Sequence, residues 1–212
     1  MSTFKNADGK SILLKMVKAI QDNKAYLGEV DGLIGDGDHG MNMNKGFSVF
    51  EERFQDADFS FTEGLDDLGM ILLNEIGGSM GPIYGTILMD MAEAGEDMDD
   101  IGVAELAAML EAGLEGLCGI VDAKVGDKTL VDTLSPAVDV LNGAKESGKD
   151  FKEALEEMKA AAAVGRDSTK DMVAKFGRSS RLGERSRGVL DAGATSCCII
   201  LTAMADGMIE LM

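Results

Sequence analysis

The sequence predicts an all-α fold, a single domain of eight helices over 1–212, on three observations. Apolar residues recur every three or four positions almost throughout, and no stretch alternates convincingly as a strand would. Composition leans the same way: aromatics are 5% with no Trp, and Met is 15, whereas strands favour aromatic and β-branched residues. The 27 glycines cluster between the periodic stretches, without a low-complexity linker or a short repeat.

The elements follow in order. Leu13, Met16, Val17, Ile20, Lys24 and Leu27 trace the face of a first helix, with the lysine as its interruption. Met43, Phe47, Phe50 and Phe54 trace a second, and Leu65, Leu68, Ile71, Leu72 and Ile76 a third. Pro82 belongs in the first turn of a fourth, which runs to about Ala94, because proline there gives up no needed N–H. Val103, Leu106, Leu110, Leu114, Leu117 and Val121 make the fifth. The sixth runs from Leu130 to about Ala144, with Pro136 expected to bend or restart it. The seventh has the longest periodicity, from Phe151, Leu155, Met158 and Ala162 through Gly165, Thr169 and Met172 to Phe176. Thr195 to Leu211 is the eighth.

Lys and Arg total 20 against 38 Asp and Glu, for a net charge of −18, which disfavours direct nucleic-acid binding and anionic membrane surfaces. The longest apolar run, Ala194 to Ala205, is short for a bilayer span, and the charged first residues do not read as a signal peptide. Three cysteines, Cys118, Cys197 and Cys198, build neither a disulfide framework nor a C-x-x-C metal site, which suits a reducing, cytoplasmic setting.

The segment richest in chemistry is Asp31-Gly-Leu-Ile-Gly-Asp36-Gly-Asp38-His39-Gly40-Met-Asn42. Two carboxylates about 5 Å apart repel by roughly 3 kcal/mol at an effective dielectric of 20, so three held together call for a cation, a shifted pKa or a wide spread. Oxygen-only ligands suit Mg²⁺ or Ca²⁺. An EF-hand fails, because position twelve counted from Asp36 is Phe47. Gly35-x-Gly37-x-x-Gly40 matches a dinucleotide fingerprint only formally: a helix precedes it, and Asp36 and Asp38 stand where pyrophosphate would lie. There is no complete P-loop, and one histidine excludes H-E-x-x-H. A plain Asp/Gly turn that caps the next helix is the alternative. Read positively, the segment is a Mg²⁺–polyphosphate site, with helix N–H groups, His39 and Asn42 as donors to the anion.

Gly77-Gly-Ser79-Met80-Gly81-Pro82 is a second glycine loop leading into a helix: a phosphate cradle, or simply a turn. A third segment, Gly177 to Gly188, carries Arg178, Arg181, Arg185 and Arg187, and leads to Asp191-Ala-Gly193-Ala-Thr195, a helix-start signature. Its arginines either neutralise phosphoryl oxygens or are solvated surface charge.

With these segments in order, the chain resembles the ADP-binding (L) subunits of dihydroxyacetone kinases. The resemblance rests on Asp31-x4-Asp36-x-Asp38-His39-Gly40-x-Asn42, Gly77-Gly78 to Gly81-Pro82-x-Tyr84-Gly85-Thr86, Gly126-Asp127-Lys128-Thr129-x-x-Asp132, Leu182-Gly-Glu-Arg-Ser186, and Asp191-x-Gly193-Ala-Thr-Ser196. It implies an antiparallel eight-helix barrel with ADP or ATP at one end, held through two Mg²⁺ ions. Asp31, Asp36 and Asp38 would be the metal ligands. His39, Asn42, the Ser79–Met80 backbone, Asp191 and Gly193 would bind nucleotide, Leu130 would line the adenine pocket, and Arg178 would face the phosphates as the catalytic group.

The resemblance further implies a partner K subunit that holds dihydroxyacetone, and a phosphohistidine-carrying M subunit that recharges bound ADP. Two features sort the family's branches. His39 stands where the related fatty-acid-kinase domains carry Thr, and no K-type domain is present. The Gly77-Gly-Ser79-Met80-Gly81 loop departs from the family's usual Gly-Gly-Ala-Ser-Gly, which leaves the backbone rather than a hydroxyl as the phosphate contact there. Phosphorylation of another small ketose, such as erythrulose, and nucleotide-dependent regulation of a transcription factor are the alternative activities.

Overall fold

The computed structural model describes residues 2–212. Among these, nine α-helices carry the chain: α1 Lys10–Asp22, α2 Lys24–Gly32, α3 His39–Phe54, α4 Phe61–Glu75, α5 Met80–Gly95, α6 Val103–Ile120, α7 Val131–Ser147, α8 Phe151–Ser168 and α9 Ala192–Leu211. Eight of them close a ring. α1 packs on α3, each of α3 to α8 packs on the next helix, and α9 returns to α1. α2 lies outside the ring, against α3 and α9. The apolar stripes face inward: Leu13, Met16, Phe47, Phe50, Phe61, Leu65, Leu106 and Phe151 are fully buried, each contributing about 1.5–3 kcal/mol of burial.

Three sequence expectations need correction. The first helix is two, because Asn23 turns its amide back onto the Ala19 carbonyl (2.8 Å) and takes a non-helical conformation. Lys24 is therefore exposed, and the turn redirects Leu27 and Val30 into their own buried face. The seventh helix stops at Ser168 rather than reaching Phe176. There the Ser168 and Thr169 hydroxyls donate to the Gly165 and Arg166 carbonyls, which ends the ladder. One short antiparallel pair also exists, β1 Phe4–Lys5 with β2 Asp100–Ile101, too brief to alternate visibly in sequence.

Pro136 lies inside α7, which runs unbroken from Val131 to Ser147. A proline at this position leaves the Asp132 carbonyl without its helical donor. α8 covers that carbonyl at Gly165, where a Cβ would sit 2.1 Å from the oxygen. α9 is long and apolar enough to cross a membrane by length and composition, beyond what the run of apolar residues suggested. In the ring it is a core helix, with 67% of its most apolar window buried.

Candidate functional site

Alternate helices of the ring start at the same end, so the N-termini of α3, α5, α7 and α9 converge on one cleft of about 610 Å³. That volume is within the usual range for small-molecule sites. Asp31, Asp36, Asp38, His39, Asn42, Ser79, Met80, Leu130, Arg178, Asp191 and Gly193 all line it, whereas of the four arginines of the 177–188 segment only Arg178 does. Converging N-termini bring unpaired N–H groups and positive dipole ends to one place, which suits an anion.

The carboxylates come from the α2–α3 junction. Asp31 is in the last turn of α2, and Asp36 and Asp38 are in the turn that follows. The turn is tight enough that a Cβ on Gly35 would meet Asp31 Oδ1 at 2.2 Å, and Gly37 has φ +76°. One oxygen from each aspartate lies within 4.8 Å of the others. The helix-capping alternative fails for Asp38, which occupies the N-cap of α3 without a capping bond. Only Asp31 takes a nearby backbone donor, the His39 N–H at 3.3 Å. Three clustered carboxylates, two of them free of capping bonds, fit a hard divalent cation. Arg178 reaches across the cleft to an ion pair with Asp36, so guanidinium and carboxylates share one place.

His39 is buried, and its Nε2 lies 2.8 Å from Ser196 Oγ on α9. Ser196 in turn meets the Tyr84 hydroxyl of α5 at 2.6 Å, and both hydroxyls reach the Gly193 carbonyl. This network holds the ring through Nε2, and His39 also lines the cleft. Burial pulls the imidazole pKa down to about 4, against the opposing charge of Asp31, so His39 is neutral at pH 7. α3 sits directly on α2 here: a Cβ on Gly40 would clash with the Lys24 carbonyl at 2.0 Å.

The remaining wall is backbone and apolar surface. Gly77 and Gly78 have open space on their side-chain faces, Gly78 at φ +74°. Ser79 starts α5 without capping it, which leaves the first N–H groups of α5 uncapped by its side chain. Leu130 stands at the start of α7, against Gly193 at the start of α9. Ile83, Leu117, Val121 and Ala123 extend this apolar side. Asp191 caps α9 by accepting from Ala194 N at 2.8 Å, and burial raises its carboxyl to about 6.

With this geometry in place, the comparisons are specific. Residues 33–206 match the DAK2 domain. The chain belongs to the DAK2 domain family. It is 37% identical over 186 residues to the PEP-dependent dihydroxyacetone kinase 1 ADP-binding subunit DhaL of Listeria innocua, covering 87% of this chain and 88% of that protein. It is 38% identical over 183 residues to the corresponding ADP-binding subunit of Escherichia coli, covering 85% and 86%. In fold it is similar to the crystal structure of the dihydroxyacetone kinase of C. freundii, with a TM-score of 0.73 at 21% identity, over 95% of this chain and 34% of that one. It matches the same kinase in complex with AMP-PNP and Mg²⁺ with a TM-score of 0.69 at 20% identity, over 97% and 35%.

The DAK2 match begins after Asp31, so that carboxylate is joined to the site by geometry. Three cleft residues of this DAK2 chain had no role assigned by sequence reasoning. Phe176 looked like the continuation of a helical stripe, but it lies beyond the helix and lines the cleft, 40% exposed. Tyr84 belonged to a recognised motif, yet only the fold brings it to Ser196. Lys128 lines the cleft at 1% exposure, and its one sequence signal was its place in Gly-Asp-Lys-Thr.

Proposed function

We propose that this chain is the nucleotide-binding subunit of a dihydroxyacetone kinase of the phosphoenolpyruvate-dependent type, working in the cytoplasm as one unit over 1–212. The observation that carries this reading is the meeting of the Asp31–Asp36–Asp38 cluster and Arg178 with converging helix N-termini in one cleft. The names of the relatives support the choice of substrate and donor.

Asp31, Asp36 and Asp38 would hold two Mg²⁺ ions, which when bound supply charge neutralisation on phosphate oxygens. The α3 and α5 N-termini, with neutral His39 and Asn42, donate hydrogen bonds to the phosphates and fix their position. Leu130 and the apolar wall beside it take the adenine and exclude water. Arg178 offsets charge on the transferring phosphoryl oxygens. The γ-phosphoryl passes to a hydroxyl of dihydroxyacetone, and ADP stays behind.

The chain's single histidine is buried in the hydrogen-bond network, so covalent capture of the ketone falls to a K subunit. An M subunit returns a phosphoryl group to ADP. Leu33, Val125 and Phe176 are exposed on loops at the cleft end, an apolar rim suited to such partners.

Calorimetry of the purified protein with ADP tests the core of this reading. Binding is expected with Mg²⁺ and lost in EDTA. Equal binding in both would remove the carboxylate cluster from the nucleotide site.

A further inference from the structure

Lys128 carries two structural costs at once. It is the one non-glycine residue with positive φ among the described residues, at 62°. Its side chain is enclosed at 1% exposure, a costly place for an ammonium. Burial accordingly lowers its pKa, against the pull of nearby Asp191.

The bonds it makes explain the placement. The ammonium donates to the carbonyls of Thr169 and Val189, which flank the loop of residues 170–188. The same neck is closed by Gly188 N to Lys170 O at 2.7 Å and by Asp191 N to Thr169 Oγ1 at 3.0 Å. The neighbouring Asp127 grips the loop further out, its carboxylate on the Lys175 ammonium and its carbonyl on Lys175 N at 3.2 Å. Lys175 lies three residues before Arg178. The Gly126–Thr129 turn thus holds the loop at its base and beside the arginine that reaches Asp36.

We propose that Lys128 is a positioning residue: it staples the neck of the 170–188 loop, sets Arg178 over the carboxylate cluster, and does not itself contact the nucleotide. This rests on the nucleotide-site reading above. It departs from what Gly-Asp-Lys-Thr suggests at face value, a lysine aimed at phosphate, because both resolved bonds of the amine go to backbone carbonyls.

The test uses Lys128→Met, with Lys128→Gly as a second variant that relieves the positive φ should the first fail to fold. Amide exchange is measured in 170–188 and in α7, and MgADP affinity is measured in wild-type and Arg178→Ala backgrounds. Loop exchange is expected to rise at least tenfold while α7 is unchanged. Affinity is expected to fall at least tenfold in the wild-type background and less than threefold when Arg178 is already gone. Additive affinity losses with an unchanged loop would make Lys128 a direct phosphate contact and overturn the proposal. A lower melting temperature with loop and affinity unchanged would reduce it to packing and overturn it equally. If the wild-type protein binds no MgADP, the nucleotide reading falls by itself, and the exchange measurement still decides the staple.

Discussion

The two ends of the helix ring treat their helix termini in opposite ways. At the end away from the cleft, α4 starts with a full capping box between Ser60 and Glu63, α8 starts with Asp150 accepting from Lys152 and Glu153, α6 starts with Glu105 accepting from Gly102 N, and of the ring helices only α1, at Gly9, starts without a side-chain cap. At the cleft end, α3, α5 and α7 start at Asp38, Ser79 and Leu130 without a side-chain cap, and only α9 is capped, by Asp191. Positive φ follows the same division: Gly37, Gly78, Gly126, Lys128, Gly177, Gly183 and Gly188 are all on cleft-end loops, against Gly148 at the other end. One end uses its backbone donors to hold the fold. The other leaves most of them without side-chain caps, the arrangement the proposed nucleotide site needs, at an end where lower local stability is expected.

Removing charge from the cleft end should have the largest effect. Asp38→Asn is expected to weaken Mg-dependent ADP binding at least 100-fold, about 2.7 kcal/mol, with little change in melting temperature, since Asp38 makes no cap. Unchanged affinity by calorimetry would mean the cluster holds no cation.

Asp191 sharpens the comparison, because it is the cleft-end cap that is also a strained acid. Its folded pKa of about 6 stands above the ordinary 3.8. The stability tied to this raised value is fully present below pH 3.8 and is lost as pH rises through 6. Asparagine keeps an acceptor for Ala194 N without the charge. Asp191→Asn should therefore melt higher than wild type at pH 8, by about 3 °C for roughly 1 kcal/mol, and equal it near pH 4, while binding nucleotide less well. Thermal scans at the two pH values decide it, and a variant less stable at pH 8 would contradict the assignment.

The smallest effect contrasts the ends directly. Ser60→Ala should cost about 1 kcal/mol by denaturant unfolding and leave ADP affinity alone. Ser79→Ala should cost almost no stability, since Ser79 caps nothing. Equal losses from both would show that the ends do not differ as described.

Much of this was legible in the sequence because its signals are local. The Asp31–Asn42 segment brings its donors together within a few turns of chain, and the glycines marked the loops that need close backbone approach. Apolar spacing found the helices of the ring, but it failed where a side chain bonds its own backbone. Asn23 broke a helix, and Ser168 and Thr169 ended another, through bonds that leave the apolar period unaltered. Lys128 was invisible for a different reason. Its partners, Thr169 and Val189, lie 41 and 61 positions away, and a lysine reads as surface until its surroundings are known.

The sequence by itself determined the local pattern of the site: it places three carboxylates within eight residues of one helix junction, where a bound cation would reverse the local charge. It also determined the helical class, through a period that only helices satisfy. The tertiary structure decided which loops share an end. Closing the ring puts alternate helix starts on one side, so that Arg178 meets Asp36, Ser196 meets His39 and Lys128 closes the loop between α8 and α9. Those contacts join segments far apart in the chain, and they form only when packing of the ring has fixed every helix in place.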